Sequence, residues 1–260
     1  MDETTERFIK LVQGPEESIA LDEAALLIAA HADPGIDIPA ELRRIDELAA
    51  GAEASFDGWR RRLFGELGFT GDDETYDDPA NSLLHEVVRR RTGIPISLSV
   101  LGMEVGRRLG VRLAGIGMPG HFLLRHLDQP VCYVDAFAGG ELLDADGCRA
   151  VFTELHGPET PFPDDGLDPV GPLPIITRML ANLQAVYAEE GLGGELAWVL
   201  RLRLAIPGTG PEERTELAMA LGAVGGFADA AGALESVAAE HAGDADELLR
   251  EAHELRAKLN

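Results

Sequence analysis

The stretch from residue 81 to residue 137 constrains the fold of this chain more than any other part. It holds two apolar segments of helical spacing, separated by Thr92-Gly93-Ile94-Pro95, and then a series of short strand-like runs. Pro95 restricts the residue before it to extended backbone, so one helix cannot continue through this point. Because the strands cluster between helix-rich flanks, we predict the α+β class.

Local patterns predict the individual elements of this stretch. A helix is predicted over 79–91, because Asp78-Pro79 is a typical helix N-terminus and apolar side chains recur on one face. Ser97 begins the next helix, which ends before Gly110. Strands are predicted over 111–117, 121–125, 131–137 and 141–143.

Helices are predicted on both sides of this core. Apolar spacing indicates a helical N-terminal region, and the remainder from residue 175 is helical by the same criterion. The segment between them, PETPFPDDGLDPVGPLP, is typical of a linker or of a long loop packed on the surface. We therefore predict an N-terminal region with the core over 1–157, a Pro- and Asp-rich linker over 158–174, and a helical tail over 175–260.

The tail has the composition of paired helices with Ala and Gly at their contacts. Such a pattern suggests a tetratricopeptide-like array of helical hairpins, although the full repeat signature is absent. Two such units are fewer than a free-standing array needs. The tail is expected either to bind a partner through its acidic surface or to cover the core, and the sequence leaves both roles open.

Charge and composition narrow the functional classes. The formal net charge is −24, which argues against broad binding to a nucleic-acid backbone. The longest clean apolar run, 24–30, is too short to span a membrane, and the acidic N-terminus is unlike a secretory signal. Two cysteines are too few for a disulfide framework or a Cys-rich zinc site. We therefore expect a cytoplasmic protein without a metal or cofactor.

Ser97, His121 and Asp135 are the candidate catalytic residues. Ser97 lies at a predicted helix start, where unpaired N–H groups and the positive end of the helix dipole would stabilise an oxyanion. His121 and Asp135 lie on neighbouring predicted strands. Catalytic triads are assembled in this way from distant positions. A serine at a helix start is also a common cap, so that simpler role stays open for Ser97.

Three other features have simpler explanations that we prefer. Side-chain alternation turns Cys132 away from His121, so it is expected to be a small buried hydrophobe. His85 is expected to be a satisfied interfacial histidine, and a metal site that it forms with His121 and Asp135 is the weaker alternative. The carboxylate-rich loop 71–78 lacks the EF-hand pattern, so a solvated loop is expected.

Several motifs of this stretch together resemble a known family. They are Asn-Ser-Leu-Leu at 81–84, Gly-Ile-Pro-Ile-Ser-Leu at 93–98, Pro-Gly-His-Phe at 119–122 and Val-Asp-Ala-Phe at 134–137. With LDEAALLIAAHADPGIDI upstream and TRMLANLQAVY downstream, they look like the SirB-one family of bacterial transglutaminase-like proteins. The resemblance covers nearly the whole chain. It implies a papain/transglutaminase-like core, in which a helix packs on an antiparallel sheet.

The resemblance also implies roles for the candidate residues. Active transglutaminase-like enzymes use Cys, His and Asp in chain order, and His121 and Asp135 match the last two. Ser97 stands at the nucleophile position in place of the cysteine, and a hydroxyl is far less acidic than a thiol. This departure implies a regulatory pseudoenzyme that binds a protein or peptide partner. The alternative is a Ser-His-Asp hydrolase or acyltransferase that acts on an amide or ester.

Overall fold

Two units make up the part of the chain that the computed structural model describes, which is residues 2–129, 132–241 and 245–259. The core unit runs from Glu16 to Met179 and holds all the described strands. The helical unit combines the residues before Glu16 with those from Leu180 onward. The two sequence-distant parts of the helical unit are therefore brought together by folding.

The described α-helices are α1 (Glu3–Val12), α2 (Leu21–Ala32), α3 (Ile38–Ala49), α4 (Phe56–Arg60), α5 (Leu84–Arg90), α6 (Pro95–Leu109), α7 (Ala145–His156), α8 (Pro172–Glu189), α9 (Gly193–Leu204), α10 (Pro211–Ala223), α11 (Phe227–Glu240) and α12 (Ala245–Ala257). Short 3-10 turns cover Glu16–Ser18 and Pro79–Asn81, and a π-helical turn covers Arg61–Glu66.

The described strands are β1 (Thr70–Gly71), β2 (Thr92–Gly93), β3 (Leu113–Ile116), β4 (Leu123–His126), β5 (Tyr133–Asp135), β6 (Glu141–Leu143) and β7 (Pro169–Val170). A five-stranded sheet has the order β6-β5-β4-β3-β7, and all of its neighbours are antiparallel. β1 and β2 form a separate parallel pair. The predicted α+β class, with an antiparallel sheet and a helical tail, is confirmed.

α6 packs closely on the sheet because it carries a glycine at the contact. A methyl group on Gly102 would lie 2.9 Å from Leu124 Cδ1 of β4 and 3.3 Å from the Trp59 ring. Trp59 Nε1–H donates to the Gly102 carbonyl at 2.9 Å, so the buried indole has its polar atom satisfied. This contact sets the position of α6, whose first turn carries Ser97, relative to the sheet.

The helix predicted from residue 79 is wrong at its first turns. Pro79–Asn81 is a 3-10 turn, Leu83 is extended with φ −95° and ψ 113°, and α5 begins only after it. In a continuous helix the Asn81 carbonyl would accept an N–H group one turn later. It accepts instead from Ile94 N–H at 3.2 Å and from the Ser97 hydroxyl at 2.6 Å. Long-range bonds to one carbonyl therefore break the helix that local spacing predicts.

The four predicted strands are present, three of them over shorter ranges. The first and third contain Leu113–Ile116 and Tyr133–Asp135, the second begins two residues late and ends one residue late at Leu123–His126, and the fourth coincides with Glu141–Leu143. Position 131, where the third was predicted to begin, lies outside the described residues, as do 242–244 and 260 of the predicted tail. His121 precedes β4 instead of beginning it, because the chain first completes a turn.

The Pro- and Asp-rich segment belongs to the core unit. Pro169–Val170 forms β7 and pairs with β3 at the edge of the sheet, a position that suits Pro because it has no N–H to donate. Phe162 and Leu167 pack against a cluster that includes the fully buried Ile116 of β3. The segment is therefore packed on the core over much of its length.

The helical unit has its own apolar core. It is formed by α9 to α12, and Gly222 allows close packing because a methyl group there would lie 2.8 Å from Leu255 Cδ2. α1 contacts α9, and its Phe8 and Val12 are fully buried. α1 thus lies in this unit, whereas the predicted ranges joined it to the core. Within the part of the chain described, no helix is both long and apolar enough to cross a membrane.

Candidate functional site

A buried histidine–aspartate pair lies where β4 begins and β5 ends. His121 Nε2 is 2.8 Å from Asp135 Oδ2, and the two side chains are only 9% and 8% exposed. The other carboxylate oxygen, Oδ1, accepts the N–H groups of Phe137 at 3.0 Å and Ala138 at 3.1 Å. Both oxygens are therefore engaged, which fixes the carboxylate and, through it, the imidazole ring.

The pair leaves one imidazole nitrogen for another partner. With Nε2–H directed at the carboxylate, a neutral His121 carries its lone pair on Nδ1. No hydrogen bond between described residues engages Nδ1. A general base and its orienting carboxylate have this arrangement, in which Nδ1 stays available to accept a hydrogen bond.

The turn that leads into His121 is held from two sides. Gly120 adopts φ +73°, which favours glycine, and His121 N–H donates to Met118 O at 3.1 Å. Arg178 Nη1 donates to the same carbonyl at 2.9 Å, and His156 Nε2 lies 3.0 Å from Pro119 O. Side chains from α7 and α8 thus fix the backbone from which His121 projects.

Ser97 belongs to a different network. It is the third residue of α6 and is fully buried. Its Oγ–H can donate to Asn81 O at 2.6 Å or to Ile94 O at 3.1 Å, and Oγ accepts Ile94 N–H at 3.1 Å. The hydroxyl is therefore occupied as donor and as acceptor. We call this group, Ser97 with Asn81 and Ile94, the serine bracket.

The serine bracket is separate from the histidine–aspartate pair. Among the described residues, no hydrogen bond joins Ser97 to His121. Two paired glycines lie between them. A methyl group on Gly93 would lie 2.7 Å from Ser97 Oγ, and a methyl group on its partner Gly71 would lie 2.4 Å from the Phe137 ring. Phe137 in turn meets His121 edge to face, with 6.2 Å between ring centroids. The structure thus joins two of the three candidate residues and bonds the serine elsewhere.

The acidic loop before α5 supports the serine bracket. Asp72 accepts Thr75 N–H at 2.9 Å and the Thr75 hydroxyl at 2.8 Å, and Arg90 bonds to both Asp72 and Asp78. The bond from Thr75 N–H is the main cause that lowers the pKa of Asp72 below its ordinary 3.8. Asn81 Nδ2–H then donates to Thr75 O at 2.6 Å. The loop is exposed over residues 73–77, as expected of a solvated loop, and hydrogen bonds of its carboxylates also anchor it.

Aromatic and cationic side chains near His121 were not singled out from the sequence. Tyr76 packs edge to face on Phe137 with 5.9 Å between centroids. Burial raises the pKa of Tyr76, and the charge of Arg178 acts against that rise. A signal for Arg178 was present, since it is a lone cation among the apolar residues of α8. No comparable signal marked Tyr76 in the sequence, because this residue lies in a polar loop.

The remaining candidates lie apart from the pair. His85 Nε2 is 3.9 Å from Asp33 Oδ2 and 3.7 Å from Glu86 Oε1. Cys132 is partly exposed, whereas Cys148 is fully buried and burial raises its pKa to about 12. Across residues 2–129, 132–241 and 245–259, no three His, Cys, Asp or Glu side chains form a group that could hold a metal ion. Among these residues, His85, His121 and Asp135 therefore do not form the metal site that was the weaker alternative.

The fold and the oriented pair together define a transglutaminase-like core: a helix on an antiparallel sheet, with histidine and aspartate at adjoining strand ends. The family description that matches the chain is "Transglutaminase-like superfamily", over residues 36–181. This match covers more than half of the chain, and the chain therefore belongs to the transglutaminase-like superfamily. No solved structure matches the chain.

Curated relatives come from bacteria and from mammals. A UPF0162 protein of Xylella fastidiosa is 44% identical over 135 residues, which is 50% of this chain and 47% of the relative. A UPF0162 protein of Pseudomonas aeruginosa is 36% identical over 186 residues, 68% of each chain. Mouse F-box only protein 21 is 33% identical over 144 residues, 50% of this chain and 21% of that protein. The match thus spans about half the length of the Xylella relative.

The serine bracket predicts different effects for two serines of α6. Ser97→Ala removes a buried hydroxyl with three hydrogen-bond contacts and is expected to lower the free energy of unfolding by about 1–2 kcal/mol. Ser99→Ala is the matched control, because Ser99 is equally buried but its Oγ has no partner among the described residues. It is expected to be neutral or stabilising. Urea unfolding measures both, and equal losses for the two variants would contradict the bracket.

The anchored loop predicts a pH-dependent contribution of Asp72. Because folding lowers the pKa of this carboxyl, its contribution is present above about pH 3.8 and is lost as the pH falls through the folded-state pKa. Asp72→Asn should therefore cost about 1 kcal/mol at neutral pH, and the difference from wild type should shrink in acid.

Asp73→Asn removes the same charge from the next, exposed position of the loop and serves as the control. Thermal unfolding at a series of pH values makes the comparison. A constant difference between Asp72→Asn and wild type down to pH 3 would refute the role given to the ionised Asp72.

Proposed function

We propose that this chain is a transglutaminase-like pseudoenzyme, a regulatory protein that binds a protein or peptide segment at the His121–Asp135 pair without turning it over. The observation that carries the proposal is the serine bracket. The hydroxyl at the expected nucleophile position bonds to Asn81 and Ile94, while the histidine–aspartate pair keeps its own hydrogen bond. The site therefore retains its recognition chemistry and lacks an activated nucleophile.

General-base catalysis sets a distance that supports this proposal. A base must lie within about 2.6–3.2 Å of the atom whose proton it takes, or reach it through one water. The Ser97 proton already has Asn81 O as an acceptor at 2.6 Å. Rotating the hydroxyl towards His121 would leave buried polar groups less well bonded, at a cost of about 1–3 kcal/mol. The two cysteines offer no easy substitute as a nucleophile, since burial raises the pKa of both thiols, that of Cys148 to about 12.

The retained pair is well suited to hold a ligand. His121 Nδ1 can accept a hydrogen bond from an amide N–H or a hydroxyl, and the bond between Nε2 and Asp135 keeps the ring in place. Phe137 and the 43%-exposed Tyr76 present aromatic surface nearby. A peptide supplies both the amide and the apolar group that such a surface binds.

The wider roles expected from the resemblance are part of the same proposal. We infer a bacterial cytoplasmic protein whose tail, as in tetratricopeptide-like arrays, adds a surface for a protein partner. The packing of consecutive helices α9 to α12 around small residues such as Gly222 and Ala230 supports this inference. The acidic tail would favour a basic partner surface.

A Ser-His-Asp acyl hydrolase or transferase is the second candidate. The intact pair and its unused Nδ1 favour it, because these are the groups that a general base requires. This candidate requires Ser97 to leave the serine bracket and approach His121 when substrate binds. The two functions therefore differ in one property, which is whether Ser97 reacts.

A panel of peptide amides and aryl esters tests the proposal. Wild type, Ser97→Ala and His121→Ala are expected to give the same background rate, because no nucleophile is activated. Peptide binding, measured by fluorescence polarisation with a labelled hexapeptide library, should survive Ser97→Ala and weaken with His121→Ala. Turnover by wild type that disappears in both variants would refute the pseudoenzyme and establish the acyl hydrolase.

Ser97→Cys provides a chemical control for burial. A cysteine at an active nucleophile position next to a histidine would react quickly with iodoacetamide near neutral pH. At the fully buried position of the serine bracket it should react only after unfolding. Cys132, which is partly exposed, gives the native-state reference rate in the same protein.

A further inference from the structure

A cation lies one backbone carbonyl away from the histidine–aspartate pair. Arg178 Nη1 donates at 2.9 Å to Met118 O, the carbonyl that also accepts His121 N–H at 3.1 Å. The Arg178 guanidinium carbon lies 5.5 Å from the centroid of the buried Phe122 ring, within the range of a cation–π contact. The guanidinium is therefore held beside the turn that carries His121.

This cation has no carboxylate partner among the described residues, although the chain has 46 acidic and 22 Lys and Arg residues. Arg108 shows the contrast, because it bonds to the carboxylates of Asp22, Asp46 and Glu104. Burial lowers the pKa of Arg178, which means that its charge is less well solvated than in water. An oxyanion supplied by a ligand would compensate for this loss of solvation.

Aromatic side chains connect the cation to the imidazole. The charge of Arg178 acts to lower the pKa of Tyr76, Tyr76 packs on Phe137, and Phe137 meets the His121 ring. Tyr76 is 43% exposed, so this surface is open to a ligand. Phe137 therefore contacts both Tyr76 and His121, and Arg178 is bonded to the turn that carries His121.

We propose that Arg178 binds a carboxylate of the ligand, with Tyr76 and Phe137 contacting an apolar group next to it and His121 Nδ1 accepting a hydrogen bond from a neighbouring amide. This inference rests on the proposed function and names the ligand class of that site: an acylated amino acid or peptide with a free carboxylate. One guanidinium and one phenol suit a monoanion. A phosphate dianion commonly requires further donors and cations, and the net charge of −24 disfavours it.

The test compares a carboxylate probe with its uncharged amide and with an aromatic phosphate. N-acetyl-phenylalanine has the carboxylate, the ring and the amide; N-acetyl-phenylalaninamide lacks the charge; phenyl phosphate carries the other oxyanion. Binding is followed by NMR titration of the Arg178 Nε–Hε signal and the His121 imidazole signals. Wild type should bind the carboxylate at least about tenfold more tightly than the amide, the range of a charge-assisted bond, and more tightly than phenyl phosphate. Raising NaCl from about 0.05 M to about 0.5 M should reduce the difference.

Two substitutions separate binding from positioning of the turn. Arg178→Gln removes the charge and keeps a donor for Met118 O, so it should abolish the preference for the carboxylate and weaken the amide far less than the carboxylate. Arg178→Lys should keep a reduced preference, because the charge stays but the planar fork is lost. Arg112→Gln removes one charge from an exposed arginine of the core unit and should behave as wild type.

The outcomes also separate this inference from the function on which it rests. Equal affinities for the carboxylate and the amide, a preference for phenyl phosphate, or a preference that survives Arg178→Gln would overturn the carboxylate site. If the amide still shifts the His121 signals in those cases, the binding function stands without it. If Arg178→Gln and Arg178→Lys weaken the amide and the carboxylate equally, Arg178 only positions the turn and the inference fails.

Discussion

The bond between the Ser97 hydroxyl and the Asn81 carbonyl is the interaction on which the account of this site depends. At 2.6 Å and fully buried, it ties the turn before α5 to the first turn of α6. It stops the helix that begins at Pro79, and it occupies the proton that a nucleophilic serine would have to release. One hydrogen bond thus affects both the end of the helical turn at Asn81 and the availability of the Ser97 proton, because the carbonyl accepts the proton that the hydroxyl donates.

The histidine–aspartate pair is supported independently of that bond. Asp135 is fixed by two backbone N–H groups, and the turn before His121 is fixed by Arg178 and His156. The orientation of the imidazole therefore does not depend on the bonds of Ser97. A site that keeps a directed hydrogen-bonding group, aromatic surface and a cation can still recognise a ligand. This separation of the two networks is the physical reason that we propose binding without turnover.

The sequence predicted the class of fold and the pairing of two residues. Periodicity predicted most helices and strands. The Pro-Gly-His-Phe and Val-Asp-Ala-Phe motifs drew attention to His121 and Asp135, whose side chains lie 2.8 Å apart at adjoining strand ends. Local spacing could not show that the Asn81 carbonyl is bonded to residues 13 and 16 positions later. It could not show either that α1 joins the distant helices of the tail, because burial of Phe8 depends on the tertiary fold.

The role of Ser97 itself stays a prediction from the sequence, and its reactivity tests the account most directly. Native protein is treated with a fluorophosphonate, and the modified position is identified by intact-protein and peptide mass spectrometry. The serine bracket predicts that Ser97 remains unmodified under conditions in which the protein stays folded. A stoichiometric adduct on Ser97 that is absent in His121→Ala would contradict the account, because it would show a hydroxyl that leaves Asn81 and is activated by the histidine.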